Sequence, residues 1–194
     1  YLRVLFSRAG TQHCPQCGRA VETVSPQQAA DALGQLAPGT RFQLIAPKVR
    51  NKKGDHSALF ETARKDGFAR ARVDGELVDL MEGAKLPKLA KSQAHTIELI
   101  VDRLIVPPAD ADAAQRKDYG VRLIDSVETA FRAGNGVIRV DLGGEEALYL
   151  SRENTCAHCE ITLPALSPGL FSFNAPSGMC PDCNGLGTRM EIDL

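Results

Sequence analysis

The spacing of apolar residues in the middle of the chain switches between two periods. Apolar residues three or four positions apart predict helices over 26–36, 57–65 and 121–133, and Ser25-Pro26 is typical of a helix start. Alternating or short continuous apolar runs predict strands over 41–46, 68–73, 76–80, 96–106, 137–142 and 147–151. This mixture predicts a small α+β domain with hairpins over residues 25–151.

Turn-forming residues separate these elements. Asp74-Gly75 lies between two alternating runs and is typical of a β-hairpin, and Gly143-Gly144 predicts a second one. Pro47 is expected to end the first strand, because proline cannot donate a ladder hydrogen bond. The polar and basic segment 48–56 then reads as a loop, and so does the segment 107–114.

Composition excludes only a few classes of function. The chain has 194 residues, of which 43% are hydrophobic, enough for a folded core. Its 23 Lys and Arg against 24 Asp and Glu give a net charge of −1, so a nucleic-acid surface would have to be local. No apolar run reaches the roughly 20 residues of a membrane span and no signal-peptide pattern opens the chain, which favours a cytoplasmic protein. Because the first residue is Tyr1, we expect a piece of a longer protein.

The cysteines carry the clearest chemical signal, because all six fall into C-x-x-C pairs. Two thiols at this spacing can face one metal ion across a tight turn, and the second and third pairs enclose 20 residues. Disulfides would require an oxidising compartment, and free thiols are the remaining alternative. The residues predicted to hold one structural zinc ion are Cys156, Cys159, Cys180 and Cys183.

The first pair, Cys14 and Cys17, is half of a site. It could bind a second metal ion with His13, His56 or His95, or with groups outside this sequence, or it could be a turn with two reduced thiols. The spacing leaves these alternatives open.

Catalytic motifs are missing from the sequence. It contains no G-x-x-x-x-G-K-[ST] phosphate loop, no G-x-S-x-G and no H-E-x-x-H. The chain by itself is therefore not expected to be an enzyme.

Several long motifs resemble one protein family. The run CAHCEITLPALSPGLFSFNAPSGMCPDCNGLG, preceded near the start by YLRVLFSRAG and HCPQCGR, is similar to the A subunit of the bacterial UvrABC nucleotide-excision-repair excinuclease, the UvrA family. The segments LIAPKVRNKKGDH, GFARARVDGELVDL and AHTIELIVDRLIV resemble the domain by which this family docks UvrB. The resemblance covers the whole chain but only a small part of a family whose members are two-cassette ATPases.

The resemblance implies a layout and a role. Residues 1–24 and 152–194 would belong to a zinc-bearing signature domain, with the UvrB-binding insertion at 25–151 between them. DNA damage recognition, ATP binding and a homodimer would be properties of the whole parent protein. The residues expected to contact UvrB are Arg50, Lys52, Lys53, His56, Arg70, Arg72, Asp74 and Glu76.

Two other functions fit the same residues. Basic side chains in a loop, together with a zinc module, could contact DNA phosphates directly. Alternatively, the zinc could serve only to hold the long C-terminal loop in place, since four thiolates leave no open position for chemistry.

Overall fold

The computed structural model of the chain describes residues 1–144, 147–156, 158–159 and 161–188. Among these residues, no helix is both long enough and apolar enough to cross a membrane. The helices are α1 (Leu2–Ala9), α2 (Pro26–Gly34), α3 (Ser57–Lys65) and α4 (Ala113–Ala133), with a 3₁₀ turn at Pro168–Phe171. The strands are β1 (Gln12–His13), β2 (Ala20–Val21), β3 (Arg41–Lys53), β4 (Arg70–Val73), β5 (Glu76–Asp79), β6 (Ala94–Ile105), β7 (Val137–Asp141) and β8 (Leu148–Ser151).

The strands form two antiparallel sheets. β1 and β2 make a small ribbon, and the other six strands form one sheet in the order β5-β4-β6-β3-β7-β8. The longest strands, β3 and β6, pair at the centre of this sheet, and the two predicted hairpins lie at its edges. The α+β class with a flanking group of four cysteines is therefore confirmed.

Helices cover one face of the large sheet. α2 and α4 pack on β3, β6 and β7 around Leu33, Leu44, Phe131 and Ile138, all of which are nearly inaccessible. α3 packs on β4 and β6 around Phe60, which is fully buried. Burying an aromatic side chain of this size stabilises the fold by roughly 2–3 kcal/mol.

The prediction that the first strand ends at Pro47 was wrong, and so was the predicted loop over residues 48–53, whereas residues 54–56 do form a loop. β3 continues to Lys53, and the register with β6 shifts around Pro47 and again before Lys52. A β-bulge places an extra residue outside the ladder, so the strand passes a proline without losing its pairing. The basic residues predicted to lie in a loop are instead attached to the rigid central strand.

α4 begins earlier than the predicted start at Val121. The Asp112 side chain accepts a hydrogen bond from the Gln115 amide at 2.7 Å, an N-cap within the segment that was expected to be a loop. Within α4 the buried residues are Leu123, Val127, Ala130 and Phe131, whereas Val121 is 56% exposed.

The opposite face of the large sheet is polar. Cross-strand register places Arg70, Ile100, Ile45 and Arg139 in one row across β4, β6, β3 and β7. Ile45 and Ile100 are buried although both cores lie on the other face, because long arginine stems flank them. We call this surface the charged face; it comprises Arg70, Arg72, Glu98, Arg139 and Asp141.

The chain enters and leaves the sheet domain at one place. The Val24 amide donates to the Ser151 carbonyl at 2.8 Å, and Thr23 forms a parallel bridge with Ser151. The segments before and after the domain are therefore side by side. The packing of Cys14, Val21 and Cys156 into a third cluster follows from this arrangement.

Two segments outside the sheet domain pack against each other. α1 contacts the 3₁₀ turn, with the rings of Phe6 and Phe171 5.9 Å apart. Arg3 donates to the Ser172 hydroxyl at 3.1 Å and lies over the Phe173 ring.

Candidate metal centre and charged face

Four cysteines from the segments before and after the sheet domain converge. The sulfur atoms of Cys14, Cys17, Cys156 and Cys159 all lie within 4.8 Å of one another, and those of Cys17 and Cys156 are 3.6 Å apart. Within the described residues this is the one group of three or more potential metal ligands. We call it the cysteine cluster.

The structure pairs the knuckles differently from the sequence prediction. Cys156 and Cys159 were expected to join Cys180 and Cys183, but they meet Cys14 and Cys17. The physical reason is the shared entry and exit of the sheet domain, which brings residues 139 positions apart into contact. Cys180 is exposed, and Cys183 accepts a hydrogen bond from the Gly187 amide at 3.3 Å.

Local backbone geometry presents each pair of thiols on a tight turn. In the first knuckle the Cys14 amide donates to Arg19, and Gly18 donates back to Cys14. Gly18 has φ of +70°, a left-handed conformation that glycine adopts without steric cost. In the second knuckle the Cys156 amide donates to the Ile161 carbonyl at 2.8 Å. Both turns leave the sulfur atoms facing each other.

The histidines proposed as ligands for the first pair lie elsewhere. His13 Nδ1 donates to the Gly18 carbonyl at 3.0 Å. His56 Nε2 donates to the Lys52 carbonyl, and His95 is engaged by Asp74. The second cysteine knuckle supplies the partners that the sequence left unidentified.

Burial and backbone hydrogen bonds shift the thiol pKa values in opposite directions. Burial raises the pKa of Cys156 and raises that of Cys159 to about 12. Burial also acts on Cys14, but the amides of Cys17 and Gln16 stabilise its thiolate, and its pKa is lowered to about 7. The thiolate is the form that binds metal, so the cluster holds one sulfur prepared for ligation near neutral pH.

The donor set fits zinc. A tetrahedral ion with Zn–S bonds of about 2.3 Å has sulfur atoms about 3.8 Å apart. The separation of 3.6 Å between Cys17 and Cys156 is close to this value. Cys14 and Cys156 are buried, so the site is shielded from solvent on one side.

Ion pairs cross the charged face. Arg72 Nη2 lies 3.0 Å from Asp141 Oδ2, and Arg139 Nη1 lies 2.8 Å from Glu98 Oε2. The Glu98 and Arg139 side chains are 11% and 20% exposed, so this pair is largely desolvated. Burial raises the pKa of Asp141, but the Gly143 amide and Arg72 outweigh it and lower the pKa overall.

The hairpin residues predicted to contact UvrB have different environments. Arg70 and Arg72 do share one face, as alternation predicted, but Arg72 is half-buried beside Asp141 while Arg70 is exposed. Glu76 is exposed at the start of β5. Of the two arginines, Arg70 is therefore the better placed to meet another molecule.

Asp74 forms hydrogen bonds within the domain that stabilise the fold. Its carboxylate accepts hydrogen bonds from His95 Nδ1 and from the Thr96 amide, each at 2.7 Å. The other ring nitrogen of His95 lies 3.2 Å from the Ala90 carbonyl. Because both partners accept hydrogen bonds, the protonated imidazole can satisfy both contacts at once. The bond to Asp74 accordingly raises the pKa of His95.

The basic segment of β3 splits into inward and outward residues. Arg50 Nη1 donates to the His158 carbonyl at 3.2 Å, and its guanidinium lies over the Tyr149 ring. Lys52 and Lys53 are exposed at the end of the strand, and His56 is the N-cap residue that precedes α3, with φ of +47°.

Sequence reasoning missed the residues that complete the charged face. Glu98, Arg139 and Asp141 were placed on strands but assigned no role. The alternation of Val137–Asp141, with arginine and aspartate on one side, was the available signal. Their pairing partners could not be read from the sequence because they lie on other strands.

Comparison with known proteins places these features in a family. A family model described as the UvrA interaction domain matches residues 25–143. The chain belongs to the UvrA interaction domain family. The match contains the charged face and leaves both halves of the cysteine cluster outside it.

Full-length relatives extend the similarity to the whole chain. The UvrABC system protein A of Streptococcus pyogenes serotype M1 is 42% identical over 194 residues, that of Streptococcus mutans 41% over 194, and that of Treponema pallidum 41% over 210. These alignments cover 100% of this chain but only 19–21% of each relative. The UvrA interaction domain and its cysteine-bearing flanks thus span about a fifth of the relatives' length.

Proposed function

We propose that the chain is the part of a UvrA protein that docks UvrB during nucleotide excision repair, with one structural zinc ion at its base. The observation that carries the proposal is the charged face, which lies opposite the face covered by α2, α3 and α4 and presents exposed Arg70 within the matched interaction domain. In a longer UvrA protein, ATP binding, dimerisation and damage recognition would reside in other parts, and the protein would act in the cytoplasm.

The charged face suits a protein partner with acidic groups. Arg70 is exposed, whereas Arg72 and Arg139 are already paired with carboxylates, so among the described residues the charge that this face presents to a partner is positive. An arginine fork can bind a carboxylate with two parallel hydrogen bonds, and complementary charge accelerates encounter. The paired residues would hold the surface in one conformation before binding, which lowers the entropy cost of association.

The zinc ion would have a structural role. Four thiolates fill a tetrahedral coordination shell and leave no position for water or substrate. Zinc at the cysteine cluster would fasten the segments on either side of the sheet domain to each other. The four proposed ligands are Cys14, Cys17, Cys156 and Cys159.

The docking proposal is tested by reversing one exposed charge. Arg70→Glu should weaken UvrB binding about tenfold or more at low salt, measured by calorimetry or surface plasmon resonance, because repulsion replaces attraction. The matched control is Lys65→Glu, an exposed cation at the end of α3 on the other face, which should stay within about twofold of wild type. Unchanged affinity of Arg70→Glu would refute the assignment of the charged face.

Direct DNA binding is the competing function. Exposed Lys52 and Lys53 are compatible with phosphate contacts, although Arg50 is turned inward. A DNA-binding module would lose affinity steeply as salt is raised, because phosphate contacts release counterions. A docking module would have little DNA affinity to lose in the same titration.

A further inference from the structure

Arg50 contacts both the edge strand β8 and the second cysteine knuckle. It lies on β3, beyond the bulge at Pro47, and its guanidinium carbon is 5.0 Å from the centre of the Tyr149 ring. Its Nη1 donates to the His158 carbonyl at 3.2 Å. One side chain therefore spans from the central strand to the edge strand β8 and to the cysteine cluster.

The acceptor at the cysteine end is part of the knuckle itself. His158 lies between Cys156 and Cys159, and its own ring nitrogen is 3.4 Å from the Cys159 sulfur. When both cysteines bind one ion, the backbone between them is fixed, and the His158 carbonyl keeps its position. The hydrogen bond from Arg50 then has a rigid acceptor.

The other end of Arg50 reaches the charged face. Tyr149 is the cross-strand partner of Arg139, so the two side chains lie next to each other on the same side of the sheet. Arg139 in turn holds Glu98. Arg50 therefore links the cysteine cluster to Tyr149 by direct contacts, and strand register places Tyr149 opposite Arg139.

We propose that Arg50 is a positioning residue that couples metal occupancy of the cysteine cluster to the order of β8 and the charged face. The inference rests on the proposed zinc site. Loss of the ion would loosen the knuckle, release the guanidinium from His158 and free Tyr149 beside Arg139. Coupling of this kind is reciprocal, so Arg50 also retains the ion.

Hydrogen exchange on the zinc-loaded and zinc-stripped chain tests the coupling. In wild type, stripping zinc should increase exchange of the amides of β7 and β8. In Arg50→Ala these amides should exchange fast even with zinc bound, and removal of zinc should change their exchange rates little. Arg50→Lys should restore part of the response, since it keeps the positive charge over the ring but not the planar fork.

Zinc release to a chromogenic chelator gives the reciprocal readout. A hydrogen bond from a charged donor plus a cation–π contact predicts release about three- to tenfold faster from Arg50→Ala than from wild type. Arg41→Ala, an exposed arginine at the opposite end of β3, is the matched control and should release zinc at the wild-type rate. Tyr149→Leu, which removes the ring but leaves the His158 contact, provides a second variant should Arg50→Ala fold poorly.

The outcomes separate the two proposals. If the four-cysteine cluster binds one zinc ion but Arg50→Ala shows the same exchange response as wild type, the coupling is overturned and the metal site stands. Wild-type chain that binds no zinc would overturn the metal site, and the coupling with it. Zinc-dependent exchange that disappears in Arg50→Ala, with faster release, supports the coupling.

Discussion

Removing the first cysteine pair distinguishes the observed pairing of knuckles from the one that spacing alone suggested. A zinc ion shared by Cys17 and Cys156 closes a loop of 139 residues, whereas one shared by Cys159 and Cys180 would close a loop of about 20. The double variant Cys14→Ser with Cys17→Ser opens the long loop while leaving the third pair intact.

The magnitude follows from chain entropy. Closing a loop of n residues removes about 2.1 + 1.5R ln n cal/mol/K of entropy from the unfolded chain, which at 25 °C is about 5 kcal/mol for the long loop and about 3 kcal/mol for the short one. Only the long loop contains the sheet domain. The variant should therefore lose up to about 5 kcal/mol of unfolding free energy, equivalent to roughly 10–20 °C in melting temperature.

Thermal unfolding followed by circular dichroism measures this difference on zinc-loaded protein. The matched control is Cys180→Ser with Cys183→Ser, which removes two thiols outside the cluster and should leave the melting temperature within about 2 °C of wild type. The reasoning would be refuted by the reverse pattern, in which the control melts early and the Cys14/Cys17 variant melts like wild type.

Three further changes probe individual contacts. Arg139→Met leaves the Glu98 carboxylate largely buried without its partner and should lower the free energy of unfolding in urea by about 2–3 kcal/mol. Breaking an exposed ion pair would cost under about 1 kcal/mol. A loss under about 0.5 kcal/mol would contradict the conclusion that this pair is desolvated. Because the pKa of His95 is raised on folding, its contribution to the free energy of unfolding is complete below the unfolded pKa of about 6.5 and is lost as pH rises through the folded pKa. Urea midpoints of the wild type, measured across this pH range, should show the loss. An identical pH profile for His95→Gln would exclude the Asp74 contact as its source. Ser25→Ala removes the capping box with Gln28 and should cost about 1 kcal/mol, read from the same urea curves; no change would mean that α2 does not depend on its cap.

The elements of the fold were largely predictable because they are local. Ser25 followed by proline starts α2, and Asp74-Gly75 turns the β4–β5 hairpin, with φ of +51° and +90° at the two residues. The failures came where tertiary pairing overrides local preference. Pro47 stays in β3 because bulges absorb it, and the Asp112 cap lies in a stretch whose alanines and aspartates give no strong apolar period.

The site was only half predictable. C-x-x-C spacing identifies every thiol of the cysteine cluster, but the partner of a knuckle is set by where the chain returns, which spacing does not encode. One clue was available: cysteine pairs flank the sheet domain on both sides, and a domain inserted into another must bring its two ends together. The interstrand ion pairs of Arg72 and Arg139 carry no comparable clue, because register across four strands decides them.

The bridge between Val24 and Ser151 makes the sheet domain a removable module. Its two ends are already joined by a hydrogen bond of 2.8 Å, so a linker of a few residues could replace everything between them without stretching the flanks. Such a deletion would keep both cysteine knuckles within reach of each other. The same adjacency means that a different domain with neighbouring termini could be grafted onto this base in its place.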